Sequence, residues 1–483
     1  MNANIRRALE VFERISRIPR CSKNEEAVAG WFEAWARSHG WPSRRDPAGN
    51  LLIRVPAPAG CERAAGVVLQ GHLDMVCEKT PESSHDFSRD PIRLIRDGDW
   101  IHADATTLGA DNGVALALAA ALSEDARAKR PPLELLFTVD EETGLSGAKK
   151  LKPGFVEGRI LLNLDSETEG VFTVGCAGGR DIQIQRDIRL TPLPEGYRVF
   201  HVKVGGLQGG HSGIDIHRHR GNGIKLLARV LGAMVPDEKV RLMTVAGGTR
   251  RNAIPRDAEA QVACPAELVP VLRRQIAEWQ ELLRSEFTRE PTLSLAMEQA
   301  QTLSSAPSAM SWEDGCAVVN LLLALPHGAA QMDPDFDGLV MISSNLAMTE
   351  TGADSQKIIT SQRSLTRPGL DAMSSQVRAA AALASGRAHT ESEYPPWKPN
   401  PASPLLERSQ AVYRSLYGRN AEVRAIHAGL ECALIGDIYP GMDMISFGPT
   451  TENAHSPSER LHVPSLGRLW NFLVALLASL AES

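Results

Sequence analysis

Two histidines and a group of carboxylates stand in short motifs spread over most of the chain. They are Gly71-His72-Leu73-Asp74-Met75-Val76, Gly109-Ala110-Asp111-Asn112-Gly113, Asp140-Glu141-Glu142, Asn163-Leu164-Asp165-Ser166 and Ala454-His455-Ser456-Pro457. Imidazole and carboxylate are the ligands of catalytic zinc. A further carboxylate beside such ions can take the proton of an activated water. Brought together, these residues would make a metallohydrolase with a pair of divalent ions and a general base.

Taken singly, each motif has a cheaper explanation. His72 and Asp74 read as a solvated loop pair. Asp111, ahead of an apolar helix, reads as an N-cap worth about 1 kcal/mol. Glu141 and Glu142 suit a surface turn, and His455 a surface loop. The chemical reading gives each a task. In extended chain, residues two apart face the same way, so Asp74 can lie behind His72 and orient it. Asp111 can give one oxygen to each of two metals. Of Glu141 and Glu142, one would ligate metal and the other act as base, because adjacent like charges need a cation or solvent.

What favours the chemical reading is the elements that carry the motifs. Gly66-Val67-Val68-Leu69-Gln70, Leu133 to Val139, Ile160 to Leu164 and Met444 to Phe447 are short apolar runs of strand type. All the motifs but Asp111 follow or end such a run, and Asp111 precedes the Ala/Leu-rich helix Val114 to Leu122. In open α/β sheets the ligand edge lies there. Helical spacing of Ala27-Val28, Trp31-Phe32 and Trp35 completes an alternating α/β texture. After Gly175-Cys176-Ala177-Gly178-Gly179 the pattern changes to alternating segments, Asp181 to Gln185 and Arg198 to Val204. These suit half-exposed antiparallel strands, with helices at Ile224 to Val235 and near Leu268 to Glu286. The Pro-rich run Tyr394 to Pro401 is a second break. A helix capped by Ser403 and opened by Pro404 then resumes the first texture. The chain thus divides into an α/β domain in two parts, residues 1–180 and 393–483, with an α+β domain inserted at 181–392.

Length and composition agree. At 483 residues the chain exceeds a single core, and 43% hydrophobic with 23% charged residues is ordinary for a soluble protein. A net charge of −6 and a pI near 6.1 offer no footprint for nucleic acid or anionic lipid. Seven cysteines without a CxxC pair predict reduced, mostly buried thiols and a cytoplasmic protein. Residues 1–20 lack a signal-peptide apolar region. The apolar stretch Leu469 to Ala481 is too short to span a bilayer and reads as a helix packed on a core. The loop Gly205-Gly206-Leu207-Gln208-Gly209-Gly210-His211-Ser212-Gly213 lacks the Gly-Lys-Ser/Thr of a phosphate loop. Gly247 to Pro255 and Gln362-Arg363-Ser364 offer Asn and Arg donors for a carboxylate or carbonyl.

With these strings assembled, the chain resembles the aminoacyl-histidine dipeptidases, also called peptidase D or cytosol non-specific dipeptidase. They belong to the two-zinc exopeptidases that include aminoacylases, carboxypeptidase G and carnosinases. The resemblance rests on the His72 and Asp74 string, Thr107-Leu108-Gly109-Ala110-Asp111-Asn112-Gly113, Gly209-Gly210-His211-Ser212-Gly213, Arg251-Asn252-Ala253-Ile254-Pro255 and His427-Ala428-Gly429-Leu430-Glu431-Cys432. It implies an α/β zinc-exopeptidase catalytic domain, its central mixed sheet flanked by helices, interrupted by an α+β lid and dimerisation domain. It also implies two zinc ions per subunit, replaceable by manganese or cobalt: His72 and Asp165 hold one, Glu142 and His455 the other, and Asp111 bridges both. Asp74 would orient His72, Glu141 would be the base, and a cis peptide would follow Asp111. His211 would stabilise the oxyanion, in its own or a neighbouring active site. Asn252 and Arg363 would bind the substrate's carbonyl or carboxylate, and Glu431 its ammonium. The activity implied is hydrolysis of unblocked L-dipeptides, with Xaa-His a candidate preference, by a homodimer that needs no nucleic acid or membrane. Two other readings stay open: an aminoacylase or carboxypeptidase of the same chemistry, and a metal-free binding or scaffold protein.

Overall fold

The computed structural model describes residues 3–300 and 307–482. It divides into two compact units, one of Met1–Gly175, Trp397–Ala425 and Leu430–Ser483, the other of Cys176–Pro396 and Ile426–Gly429.

The first unit is built on an eight-stranded mixed sheet. Its order is Ser43–Arg45, Leu51–Val55, Leu133–Thr138, Val67–His72, Ile160–Asn163, Asp443–Ser446, Val171–Cys176 and Glu422–Ile426. The four strands from Leu133–Thr138 to Asp443–Ser446 run parallel, so their C-terminal ends share one edge. Parallel strands are covered on both faces, which is why they read as unbroken apolar runs: every residue of Leu133–Thr138 and Val67–His72 is buried. The helix Ala110–Glu124 is kinked at its start, where Asp111 and Asn112 have non-helical φ/ψ, and runs regularly beyond them, close to where the sequence places it. It is buried almost all round, as a helix without a polar face must be, and its alanines let the helix Ala3–Ser16 and the strand Val67–His72 approach closely.

The C-terminal helix, Val463–Ala481, is longer than its apolar stretch suggested; in length and composition it could cross a membrane. It packs on the core instead: Leu466, Trp470, Phe472, Leu473 and Leu477 are buried, and Phe472 stacks on Phe172 with ring centroids 5.1 Å apart. One expectation needs correction. Cys21 and Cys77 form a disulfide, their Cα atoms 5.7 Å apart, so not all seven cysteines are thiols. A parallel bridge between Cys21 and Met75 aligns the two segments, and a separation of 56 residues hides that neighbourhood in the sequence.

The second unit has a nine-stranded antiparallel sheet among the described residues. The helices Gly223–Met234, Val269–Glu286, Trp312–Ala324 and Arg367–Leu383 share its core. Its alternation is visible in Gly178–Asp187, where Ile182 and Ile184 face that core between more exposed neighbours.

Candidate metal centre

The parallel edge of the first unit gathers the predicted ligands. His72 ends its strand; Glu141 and Glu142 follow Leu133–Thr138, Asp165 follows Ile160–Asn163, and His455 lies beyond Asp443–Ser446. Asp111 stands in the first turn of its helix, with non-helical φ/ψ and a cis peptide bond to Asn112. The N-cap of this helix is Gly109, and the Asp111 side chain faces two histidines instead. Its Oδ1 lies 3.1 Å from His72 Nε2 and its Oδ2 3.1 Å from His455 Nε2. Asp165 Oδ1 is 3.3 Å from the same His72 nitrogen, and Glu142 Oε2 is 3.0 Å from that of His455. Two triads therefore share Asp111: His72, Asp111 and Asp165 on one side, Asp111, Glu142 and His455 on the other.

Asp74 supports both sides of this arrangement. Its Oδ1 lies 3.3 Å from His72 Nδ1 and accepts the Glu141 N–H at 3.0 Å. Its Oδ2 accepts the Glu142 N–H at 3.2 Å and the Ser22 hydroxyl at 2.7 Å. Asp74 thus lies against the His72 ring and also holds the turn that carries Glu141 and Glu142, a second set of contacts its spacing did not reveal. Asp140 is turned away: its carboxylate accepts the hydroxyls of Thr143 and Ser146.

Burial and crowded charge set the electrostatics of the cluster. Burial opposes charge on His72, yet Asp165, Asp111 and Asp74 hold its pKa well above the ordinary value. Hydrogen bonds to Asp111 and Glu142 raise His455 to about 11. Burial pushes Asp165 up to about 7 and Glu141 well above the usual carboxylate range, with neighbouring acids adding to the effect. Glu431 is also raised to about 7 by burial, although Thr138 hydrogen-bonds it. Burial likewise opposes charge on Asp111, but His455 and His72 keep it well below its ordinary range. Buried Glu142 Oε1, Asp165 Oδ1 and Glu431 Oε1 find no hydrogen-bond partner. So many acids around two histidines call for cations. Donor separations of 3.0–3.3 Å match a shell with bonds of about 2.0–2.1 Å to zinc. The residues fit a two-metal site.

Glu431 opens the helix Glu431–Ile438 and is 1% exposed. Its Oε2 accepts Gln70 Nε2 and Thr138 Oγ1, each at 2.6 Å, and Gln70 in turn is held by Asn163. Nothing in the sequence marked Gln70 or Thr138, because each reads as one more residue of a buried strand.

The remaining candidates lie in the second unit. His211 pairs with Ala253 across a short antiparallel ladder, and the Asn252 carbonyl accepts the Ser212 N–H at 2.8 Å. Asn345 Nδ2 holds the Arg251 and Ala253 carbonyls on either side of Asn252. Glycine is needed beside the histidine: Gly209 has φ +65° and a Cβ there would strike Arg256. His211 Nδ1 accepts N–H bonds from Gly213 and Ile214, both 3.2 Å, which puts its proton on Nε2. Burial and then Arg363 lower its pKa to about 4, so it is a neutral donor. Arg363, 8% exposed, donates to Tyr394 Oη at 2.8 Å. Buried His427 is bonded to Ser343 Oγ at 2.6 Å; burial and Arg363 lower it to about 3.

Comparison with known proteins identifies the family of the chain. Residues 68–479 match the model of peptidase family M20/M25/M40. The chain is 39% identical over 469 residues to the cytosol non-specific dipeptidase of Escherichia coli, covering 97% of this chain and 96% of that one. The aminoacylhistidine dipeptidase of Vibrio alginolyticus superposes with a TM-score of 0.89 at 38% identity, over 98% of this chain and 96% of that one. A Staphylococcus aureus tripeptidase shares the fold, with a TM-score of 0.58 at 16% identity over 99% of each chain. A mixed sheet with an acidic, histidine-bearing parallel edge and a family match across most of its length make this chain a hydrolase of peptide bonds, and it belongs to peptidase family M20/M25/M40.

Proposed function

We propose that this peptidase is a two-metal dipeptidase acting on unblocked L-dipeptides. The observation that carries the reading is Asp111, whose two oxygens each face a different histidine at 3.1 Å. His72 and Asp165 would hold one zinc ion, Glu142 and His455 the other, with Asp111 shared; manganese or cobalt can take the same ligands. When bound, the ions polarise the scissile carbonyl and lower the pKa of water. Glu141, placed on its turn by the bond from its N–H to Asp74, accepts the proton of the attacking water and delivers it to the leaving amine. His211 presents its Nε2–H to the developing oxyanion. Arg363 and Asn252 bind the substrate's carboxylate or carbonyl. Glu431 binds the free ammonium, which a blocked substrate lacks.

Relatives named for dipeptides in Escherichia coli and Vibrio alginolyticus support this substrate class over an aminoacylase or carboxypeptidase. The complete ligand set argues against a metal-free scaffold. A cytoplasmic homodimer joined through the second unit completes the proposal. The relative's name supports the compartment, although the Cys21–Cys77 disulfide is unusual for it. The test is a substrate panel measured alongside metal stoichiometry. Ala-His should be cleaved and N-acetylhistidine left intact by protein carrying two metals per chain. Faster turnover of N-acetylhistidine would reassign the enzyme to the aminoacylases, and protein purified without chelator but free of metal would revive the scaffold.

A further inference from the structure

Two fully buried charges beside the cage touch none of its donor atoms, yet they grip the backbone that carries them. Glu459, 2% exposed, lies four residues beyond His455. Its Oε2 accepts the N–H groups of Leu108 and Gly109 at 2.7 and 2.9 Å, and its Oε1 those of Ala110 and Asp111 at 2.8 and 3.2 Å. Those of Ala110 and Asp111 belong to the first turn of the helix, whose N-cap, Gly109, offers no side chain to satisfy them, and those of Leu108 and Gly109 lie just ahead of it. Arg20, 1% exposed, continues the chain of contacts. Its Nη1 donates to the carbonyls of Leu73 and Asp74 at 3.1 and 2.8 Å, and its Nη2 to that of Gly109. The space is reserved for it: a Cβ on Gly109 or Gly113 would come within 2.6 Å of Arg20 Nη2.

Glu459 therefore ties the His455 loop to the Asp111 turn, and Arg20 ties that turn to the His72 and Asp74 segment. We propose that Glu459 and Arg20 are positioning residues that hold three ligand-bearing segments in register before metal arrives, so that the cage is preformed rather than assembled around its ions. A buried carboxylate taking four N–H bonds, and a guanidinium spanning carbonyls of two segments, are arrangements that neither an amide nor an ammonium can reproduce. The inference rests on the two-metal reading.

The test uses the full-length protein and Zn2+ as the probe. Competition with a chromophoric chelator should show Glu459→Gln and Arg20→Lys binding zinc about 10–100-fold more weakly than the unchanged protein, with excess zinc restoring full occupancy because every ligand remains. A merely structural role would lower the melting temperature equally at all zinc concentrations and leave the affinity of the folded fraction unchanged; that outcome overturns the proposal. Hydrogen exchange on the unchanged protein decides the matter if the variants fail to fold. The amides of residues 108–111 should be protected before zinc is added. Free exchange in the zinc-free protein, with protection gained only on loading, would show a cage assembled by its metal. An unchanged protein that binds no zinc would instead remove the metal-centre reading itself.

Discussion

Two clusters of histidine sit in this molecule, one in each unit, and their surroundings drive them in opposite directions. At the edge of the first unit, carboxylates raise His455 to about 11 and His72 well above its ordinary value. In the second unit, burial with Arg363 lowers His211 to about 4 and His427 to about 3. The same side chain is thus drawn towards positive charge in one place and held as a neutral donor or acceptor in the other. The first environment is negative in excess, and the protons on its histidines occupy positions suited to metal ions. The second, with Arg363 beside neutral imidazoles, favours an anion such as a carboxylate or a developing oxyanion. The contrast says which unit should respond to metal and which to the charge on substrate.

The largest effect should come from the acidic cluster. Glu141→Gln removes the proposed base while leaving His72, Asp111, Glu142, Asp165 and His455 in place. We expect kcat to fall by about 10²–10⁴-fold with metal content unchanged, measured by steady-state kinetics and elemental analysis of one sample. Near-native turnover would take the base role from Glu141, and loss of metal would move it among the ligands. A smaller effect is expected in the second cluster. His211→Ala should lower kcat by roughly 10²–10³-fold, the usual range for an oxyanion donor, again with full metal content. If it emptied the metal site instead, the division between the two clusters would fail.

The sequence shows the first cluster more clearly than the second, for a physical reason. Candidate ligands at the ends of buried parallel strands are announced by the apolar runs before them, so the sequence alone places His72, Glu142, Asp165 and His455 on one edge. It does not reveal the parts that steady them. Glu459 sits in Pro457-Ser458-Glu459-Arg460, which has the composition of a surface turn, and its partners lie some 350 residues away in the chain. Arg20 and the Cys21–Cys77 bridge are hidden in the same way. Asp111 reads locally as a cap because helix starts favour Asp, whereas the amides at and just ahead of this helix start, residues 108–111, are held by Glu459. In the second unit, buried Ser343, Ser344, Asn345 and Gln362 lie on two paired strands, Val340–Thr351 and Ser355–Ser364. They break the apolar alternation on which strand recognition depends.

The smallest expected effect tests the neutral cluster directly. His427 is 7% exposed, and its pKa in the fold, about 3, lies below that of an unfolded chain, near 6.5. Between those values the unfolded chain holds a proton on this residue that the folded chain does not. Stability from keeping His427 neutral is therefore present above about pH 6.5 and lost as pH falls towards 3. The slope approaches about 1.4 kcal/mol per pH unit while the difference is one full proton. His427→Gln keeps a polar partner for Ser343 but cannot titrate. Denaturant unfolding of both proteins at steps from pH 7.5 to 4.5 should show the unchanged protein losing stability more steeply, so that the gap between them shifts in the variant's favour with acidity. Contributions common to both, including acid release of metal, cancel in that difference. Parallel pH profiles would mean that His427 titrates alike in the folded and unfolded chains, and the opposition between the two clusters would then rest on His211 alone.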